Sequence, residues 1–314
     1  MAAVSGLFLI PFLKKLKYGQ TINDIGPTWH KKKQGTPTMG GIIFIVAILV
    51  AMAVGLLTFR PAGYSHETIR VLYGLLAAVA FGFIGFIDDY IKVVKKRNLG
   101  LTARQKLAMQ FAFAILYLWG LYVTGDTSTR VIIPFIGQLE LGFFYYPIMV
   151  VFIVLVVNSV NLTDGLDGLA SSVTFVASLG FMVICSMLSY FQVSLMATAT
   201  AAALLGFLIY NFYPAKVFMG DTGSMFLGGM VVAMAFSINM PLLLILVGII
   251  YLVESGSVVL QVASFKLTGK RIFKMSPIHH HFEMNGNSEV KIDLTFSLVT
   301  LVGVLLAILA IKLM

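Results

Sequence analysis

The feature that most constrains this chain is the near continuity of its apolar runs, which are separated only by short polar stretches. A bilayer's hydrocarbon core takes roughly 20 apolar residues per crossing helix. Runs approaching or exceeding that length occur at Gly40–Phe59, Val71–Ile87, Leu107–Val123, Phe143–Val157, Leu169–Leu188, Val193–Phe212, Ser224–Ile238, Leu242–Phe265 and Leu294–Ile311. Ala2–Leu13 is hydrophobic but too short to span alone, and we read it as a shortened first member of a set of ten. It carries no basic leader or small-residue cleavage site, so it does not read as a signal peptide. With 59% hydrophobic and 11% charged side chains, 314 residues cannot cover a soluble globule with polar surface. The sequence therefore predicts an all-α, polytopic membrane protein of about ten transmembrane helices, forming a single integral-membrane domain over residues 1–314.

The net charge of +9 is unevenly distributed. If the loop after the first segment faces inward, 18 of the 22 Lys and Arg residues fall on that side, and only Arg60, Arg70, Arg130 and Lys312 on the other. The positive-inside rule then places both termini outside a plasma membrane. The basic excess reads as topology and gives no reason to expect a nucleic-acid partner. On the outer side, Arg130–Leu141 holds Pro134 and Gly137 between β-branched residues, a pattern for a small hairpin. The lone cysteine, Cys185, lies in an apolar run and reads as a small buried residue. Every second helix, beginning at Gly40, starts at the inner face and turns its positive dipole end there, which favours anions.

Four polar clusters fall on inner loops. Asp88-Asp89-Tyr90-Ile91-Lys92 ends the second long apolar run, where carboxylates oppose the helix dipole at about 0.3–1 kcal/mol each. Adjacent like charges shift one another's pKa, which suits a proton acceptor or a pair of metal-directed oxygens; an ordinary charged boundary, with Lys92 offsetting Asp88, is the plain alternative. The turn from Asn158 to Leu169 contains Asn161, Asp164 and Asp167, more polar groups than a helix cap requires, and its Gly165 and Gly168 allow a ligand to approach the backbone. The stretch Asn211 to Ser224 ends in Gly-Asp-Thr-Gly at a helix start. Its free N–H groups suit phosphate, Asp221 offers a hard oxygen to Mg²⁺, and Phe218 offers a face for stacking or an interfacial anchor. Pro277-Ile278-His279-His280-His281-Phe282-Glu283 holds three of the five histidines. Consecutive histidines diverge on any regular backbone, so phosphate contact fits them better than one shared metal. Weaker features are Thr36-Pro37-Thr38-Met39-Gly40-Gly41, following Lys33, and Glu254 within an apolar run, where Ser257 and Gln261 continue a polar stripe that packs on another helix or marks a break.

Together, in this order, the four clusters resemble those of the polyprenyl-phosphate N-acetylhexosamine-1-phosphate transferase superfamily, over nearly the whole chain. The histidine motif looks specifically like that of its phospho-N-acetylmuramoyl-pentapeptide transferases. The first helix is shorter than that family's pattern. The resemblance implies that undecaprenyl phosphate attacks UDP-N-acetylmuramoyl-pentapeptide at the cytoplasmic face of a bacterial inner membrane, releasing UMP and forming a lipid-linked peptidoglycan precursor. It implies Mg²⁺ held by Asp221 and Asp88 as base, with Asp89 as the other member of the pair; base and metal roles could exchange between them. Lys92 and His280 would contact phosphate, with His279, His281 and Asn211 nearby. Asn158, Asn161, Asp164, Asp167 and Phe218 would form the nucleotide pocket, with Lys33 and Thr38 in reach of substrate. Partners beyond the two substrates are membrane lipid and a second copy of the chain in a homodimer. Two alternatives remain at this point. The same chemistry on UDP-N-acetylglucosamine is disfavoured by the histidine run. A carrier would spread charge through the midplane, whereas the acidic clusters here sit at one surface.

Overall fold

Helices form where the apolar runs are, and polar residues between them decide where each begins and ends. The computed structural model describes residues 1–15, 33, 35–59, 65–94 and 100–314. Lys17, Lys31, Lys32, Arg60, Lys95, Lys96 and Arg97 of the charge argument lie outside them. The elements in chain order are α1 (Ala2–Lys15), α2 (Gly41–Thr58), α3 (Ser65–Val94), α4 (Ala103–Val123), β1 (Arg130–Ile133), β2 (Gly137–Glu140), α5 (Tyr145–Thr163), α6 (Leu169–Met187), α7 (Phe191–Asn211), α8 (Gly220–Ser237), α9 (Leu244–Val247), α10 (Ile249–Thr268), α11 (Ile278–Glu283) and α12 (Glu289–Lys312).

Among the described residues, eight helices are long and apolar enough to cross a membrane, namely α2 to α7, α10 and α12, so the chain is a multi-pass helical membrane protein. Two of the ten expected segments fall outside this set. One is α1, at 14 residues. The other is α8, whose 18 residues open on the polar Gly-Asp-Thr-Gly-Ser turn. All of α8 from Thr222 to Ser237 is buried. Sheathed by other helices, it does not need the hydropathy of a lipid-facing span. Residues such as Leu76, Trp119, Leu205 and Leu305 are exposed along the outer helices, as expected where the surrounding solvent is acyl chain. The predicted hairpin forms, with Arg130 opposite Glu140 and Ile133 opposite Gly137.

Two boundaries differ from the apolar runs. Residues 65–94 form one 30-residue helix, so Asp88, Asp89 and Lys92 sit on α3 itself and not in a following loop. The run Leu242–Phe265 is interrupted at Gly248 (φ −102°, ψ 22°), and α10 continues unbroken through Glu254. Gln261, from the same stripe, is buried and bonds to the loop that follows α10. Its Oε1 accepts from the amides of Ile272 and Phe273 at 3.0 and 2.9 Å, which pins the loop leading to α11.

The α3–α8 pair is the most extensive packing in the bundle. Gly74, Gly82 and Gly85 of α3 lie against Ala233, Phe226 and the Asp221–Thr222 backbone. Small residues let two helices approach closely, which is what packs helices tightly where lipid offers no hydrophobic gain. At the end where α3 starts and α8 finishes, buried Arg70 pairs with Asp126 and donates to the Ser237 carbonyl (3.1 Å) and Asn239 Oδ1 (2.8 Å). The opposite end collects the polar clusters.

Candidate active site

At that opposite end, α8 begins with backbone N–H groups that have no partner inside their own helix. Asp89 of α3 supplies one. Its Oδ1 accepts from Asp221 N at 3.2 Å, and its Oδ2 from Thr222 N at 2.9 Å and Thr222 Oγ1 at 2.7 Å. The side chain is only 4% exposed, and these hydrogen bonds offset part of the cost of burying a polar group. Two glycines make the contact possible. A Cβ on Gly85, one turn before Asp89, would run into the Asp221 carbonyl. Gly220, at φ +70°, has Asp89 Oδ2 and Thr38 Oγ1 each 2.6 Å from where its Cβ would be.

Asp88 faces a different set of groups, accepting from Leu101 N at 2.7 Å and pairing with Lys92 Nζ at 2.5 Å. Asp221, in the first turn of α8, is the hub. Its Oδ2 lies 3.0 Å from both Lys92 Nζ and Lys106 Nζ, and its Oδ1 accepts from Asn161 Nδ2 at 2.8 Å. Asn161 also donates to Ser224 Oγ at 2.8 Å, tying the end of α5 to the start of α8. One ligand atom from each of Asp88, Asp89 and Asp221 lies within 4.8 Å of the others. Three hard oxygen donors so close suit a divalent cation of the Mg²⁺ type. Asp221 Oδ2 is already paired with two ammonium groups, so positive charge is gathered at this carboxylate.

A second group lies beside the first. Asp167 is 3% exposed; its Oδ1 pairs with Lys33 Nζ at 2.7 Å and its Oδ2 accepts from Ala215 N at 2.8 Å. Glu289, at the start of α12, completes it, 2.5 Å from Lys33 Nζ and accepting from Asp167 N at 3.1 Å. Asp164 follows the last residue of α5, and no hydrogen bond reaches its side chain among the described residues. Burial, with Asp221, Asp89 and Asp167 nearby, pushes its carboxyl well above the usual carboxylate range. Asn211 accepts from Ser171 Oγ at 2.6 Å and donates to the Val217 carbonyl at 3.0 Å, so it braces the loop before α8. In that loop Phe218 is half-buried, and its backbone pairs with Pro37 and Gly40, which brings the segment holding Thr38 alongside. Asn158 is turned elsewhere, exchanging hydrogen bonds with Gln110 of α4.

The three histidines diverge, as their spacing requires. His279, 1% exposed, places Nδ1 3.0 Å from Glu254 Oε2; His280 Nδ1 lies 3.0 Å from Glu283 Oε2; His281 Nδ1 accepts from Lys274 N at 3.2 Å. Sequence reasoning passed over Lys106 as a site residue and gave Glu289 no role. Lys106 did carry a signal, since a lysine in the opening turns of α4 opposes the dipole just as Asp88 and Asp89 do at the end of α3. Glu289 carried none, because an acidic residue in a first turn is ordinary.

Glycosyl transferase family 4 matches residues 71–239, from α3 through α8, which covers the three carboxylates. The phospho-N-acetylmuramoyl-pentapeptide-transferase signature 1 matches residues 33–45, the segment of Lys33 and Thr38. Relatives with the name phospho-N-acetylmuramoyl-pentapeptide-transferase include those of Clostridium botulinum (49% identical, covering 95% of this chain and 90% of the relative), Clostridium beijerinckii (50%, 95% and 89%) and Halalkalibacterium halodurans (48%, 95% and 90%). Such identity over 95% of the chain, with a family match that spans the carboxylate cluster, means that the chain belongs to the phospho-N-acetylmuramoyl-pentapeptide transferases of glycosyl transferase family 4.

Proposed function

We propose that this chain transfers phospho-N-acetylmuramoyl-pentapeptide from its UDP conjugate to undecaprenyl phosphate, releasing UMP and forming lipid I at the cytoplasmic face of the bacterial inner membrane. The observation that carries this reading is the Asp88–Asp89–Asp221 cluster with Lys92 and Lys106 at one end of the bundle. A lipid phosphate stays at the membrane surface and a nucleotide sugar in water, so chemistry between them belongs where the helices meet solvent. The basic residues of that face orient it inward.

Asp221 would hold Mg²⁺, with Asp88 and Asp89 close enough to share it, and the ion would supply positive charge to the diphosphate. The chain's own groups do the rest. Asp88 takes the proton of the lipid phosphate, whose oxygen then attacks the sugar-bearing phosphorus. The P–O bond to UMP breaks in line, and UMP leaves with the bonding electrons. Lys92 and Lys106 stand beside Asp221 to neutralise the transferring phosphoryl group, and His280 donates to a phosphate oxygen. Asp89, with both oxygens engaged by α8, sets the position of Asp221. Phe218 stacks on uracil, while Lys33, Thr38, Asn161, Asp164, Asp167 and Asn211 shape the nucleotide pocket. The reading extends to a homodimer within the membrane.

The test is UMP release by purified protein. It should require both substrates and Mg²⁺, stop on chelation and resume when Mg²⁺ is restored. Failure with both substrates and the metal present overturns the proposal. Faster turnover of UDP-N-acetylglucosamine in direct competition would reassign the substrate.

A further inference from the structure

Glu254 lies inside α10, one of the apolar membrane-spanning helices, and is 0% exposed. A leucine would fill the same space without desolvating a carboxylate, so an ionisable group here needs a geometric reason. Its partner is His279 of the histidine motif, with Nδ1 3.0 Å from Glu254 Oε2 and the ring 1% exposed. A carboxylate acceptor puts the imidazole proton on Nδ1 and leaves Nε2 as a lone pair. Nε2 has no hydrogen-bond partner among the described residues. It faces Gly165, where a Cβ would run into Nε2 and lie 2.6 Å from Cε1. Gly165 stands between Asp164 and Asp167, in the turn that leaves α5.

The neighbours of Glu254 reinforce the same turn. Ser255, the next residue, hydrogen-bonds Ser159 of α5 at 2.7 Å, and Thr163 Oγ1 donates to the Ser159 carbonyl at 2.8 Å. Gln261, two helical turns further on, holds the loop that delivers the histidines. One helix therefore anchors both the end of α5 and the histidine segment, and the His279 ring is wedged between them.

We propose that Glu254 is a positioning residue: by fixing the tautomer and rotamer of His279 it sets the imidazole against Gly165, and so holds the Asp164–Asp167 turn in the shape that receives the nucleotide sugar. His279 on this account is a strut and not a substrate ligand. The inference rests on the transferase reading above and deepens it.

Three purified proteins decide it: wild type, Glu254→Gln, which keeps an acceptor oxygen for Nδ1–H, and Glu254→Leu, which removes it. For Glu254→Leu the KM for UDP-N-acetylmuramoyl-pentapeptide should rise by about tenfold, equivalent to about 1.4 kcal/mol, while the KM for undecaprenyl phosphate stays within about twofold. Glu254→Gln should restore the nucleotide KM to within about threefold of wild type. Nitrogen spectra of ¹⁵N-histidine-labelled protein, with the signal identified by its loss in His279→Asn, should show His279 protonated at Nδ1 in wild type and Glu254→Gln but not in Glu254→Leu. An unchanged nucleotide KM in Glu254→Leu, an equal rise in both KM values, a Gln variant no better than Leu, or a wild-type proton on Nε2 would each overturn the proposal. If Glu254→Leu does not fold, the Gln variant and the wild-type spectrum still decide. Absence of UMP release by wild type would defeat the transferase reading alone, because the spectrum needs no turnover.

Discussion

The contact between Asp89 and the start of α8 makes a prediction that separates holding the site from running it. Asp89→Asn keeps the shape of the side chain but swaps one acceptor oxygen for a donor facing donors. Whichever way the amide settles, either the Asp221 N–H or the Thr222 pair loses its acceptor. Losing one hydrogen bond to a charged group removes about 1.5–3 kcal/mol, and losing the charge at a helix N-terminus about 0.3–1 kcal/mol more. The sum is about 2–4 kcal/mol, or about 4–8 °C in Tm at about 2 °C per kcal/mol for a chain of this size. Cys185 is a built-in reporter for the assay, since it is the chain's lone cysteine and is 0% exposed. A fluorogenic maleimide therefore reports unfolding as the thiol appears. Turnover should fall together with Tm, because Asp221 moves when the first turn of α8 loosens. An Asp89→Asn protein that melts at the wild-type temperature would refute the capping argument.

For Asp221→Asn and Asp88→Asn the loss should instead fall chiefly on turnover, each lowering kcat by about 10³-fold or more, as loss of a group acting on the transferring phosphoryl does, well beyond what any accompanying fall in Tm explains. Paired melting and UMP-release measurements check this, and near-normal activity of Asp221→Asn at low Mg²⁺ removes it as the metal ligand. Gly85→Val should push α3 off the Asp221 carbonyl, lowering Tm and turnover together; an unaltered Tm would mean that the close approach is not needed. Phe218→Ala should weaken uridine nucleotide binding by about 1–3 kcal/mol, the range for base stacking on an aromatic ring, without changing the Mg²⁺ requirement. Equal nucleotide affinity in calorimetry would end the stacking role.

Much of this molecule could be read in its linear order because a bilayer imposes a simple rule on a chain, that backbone polar groups crossing it must be satisfied within helices. Apolar runs alone located α2, α4, α6 and α7 to within a few residues, and charge asymmetry alone suggested which end faces the cytoplasm. The candidate site was also legible as four clusters of residues too polar for their surroundings, Asp88-Asp89, Asn161 to Asp167, Asp221 and the histidines. What those residues do to one another was decided only in three dimensions. Adjacent Asp88 and Asp89 look alike in sequence, yet one meets a lysine and a loop amide while the other closes a helix N-terminus 132 residues away. Lys106, Glu289 and Glu254 acquire their meaning from partners distant in the chain, Asp221, Asp167 and His279. Side-chain chemistry and hydropathy are local and can be read along the chain, whereas hydrogen bonds and ion pairs need atoms within about 3 Å, and only packing brings those atoms together.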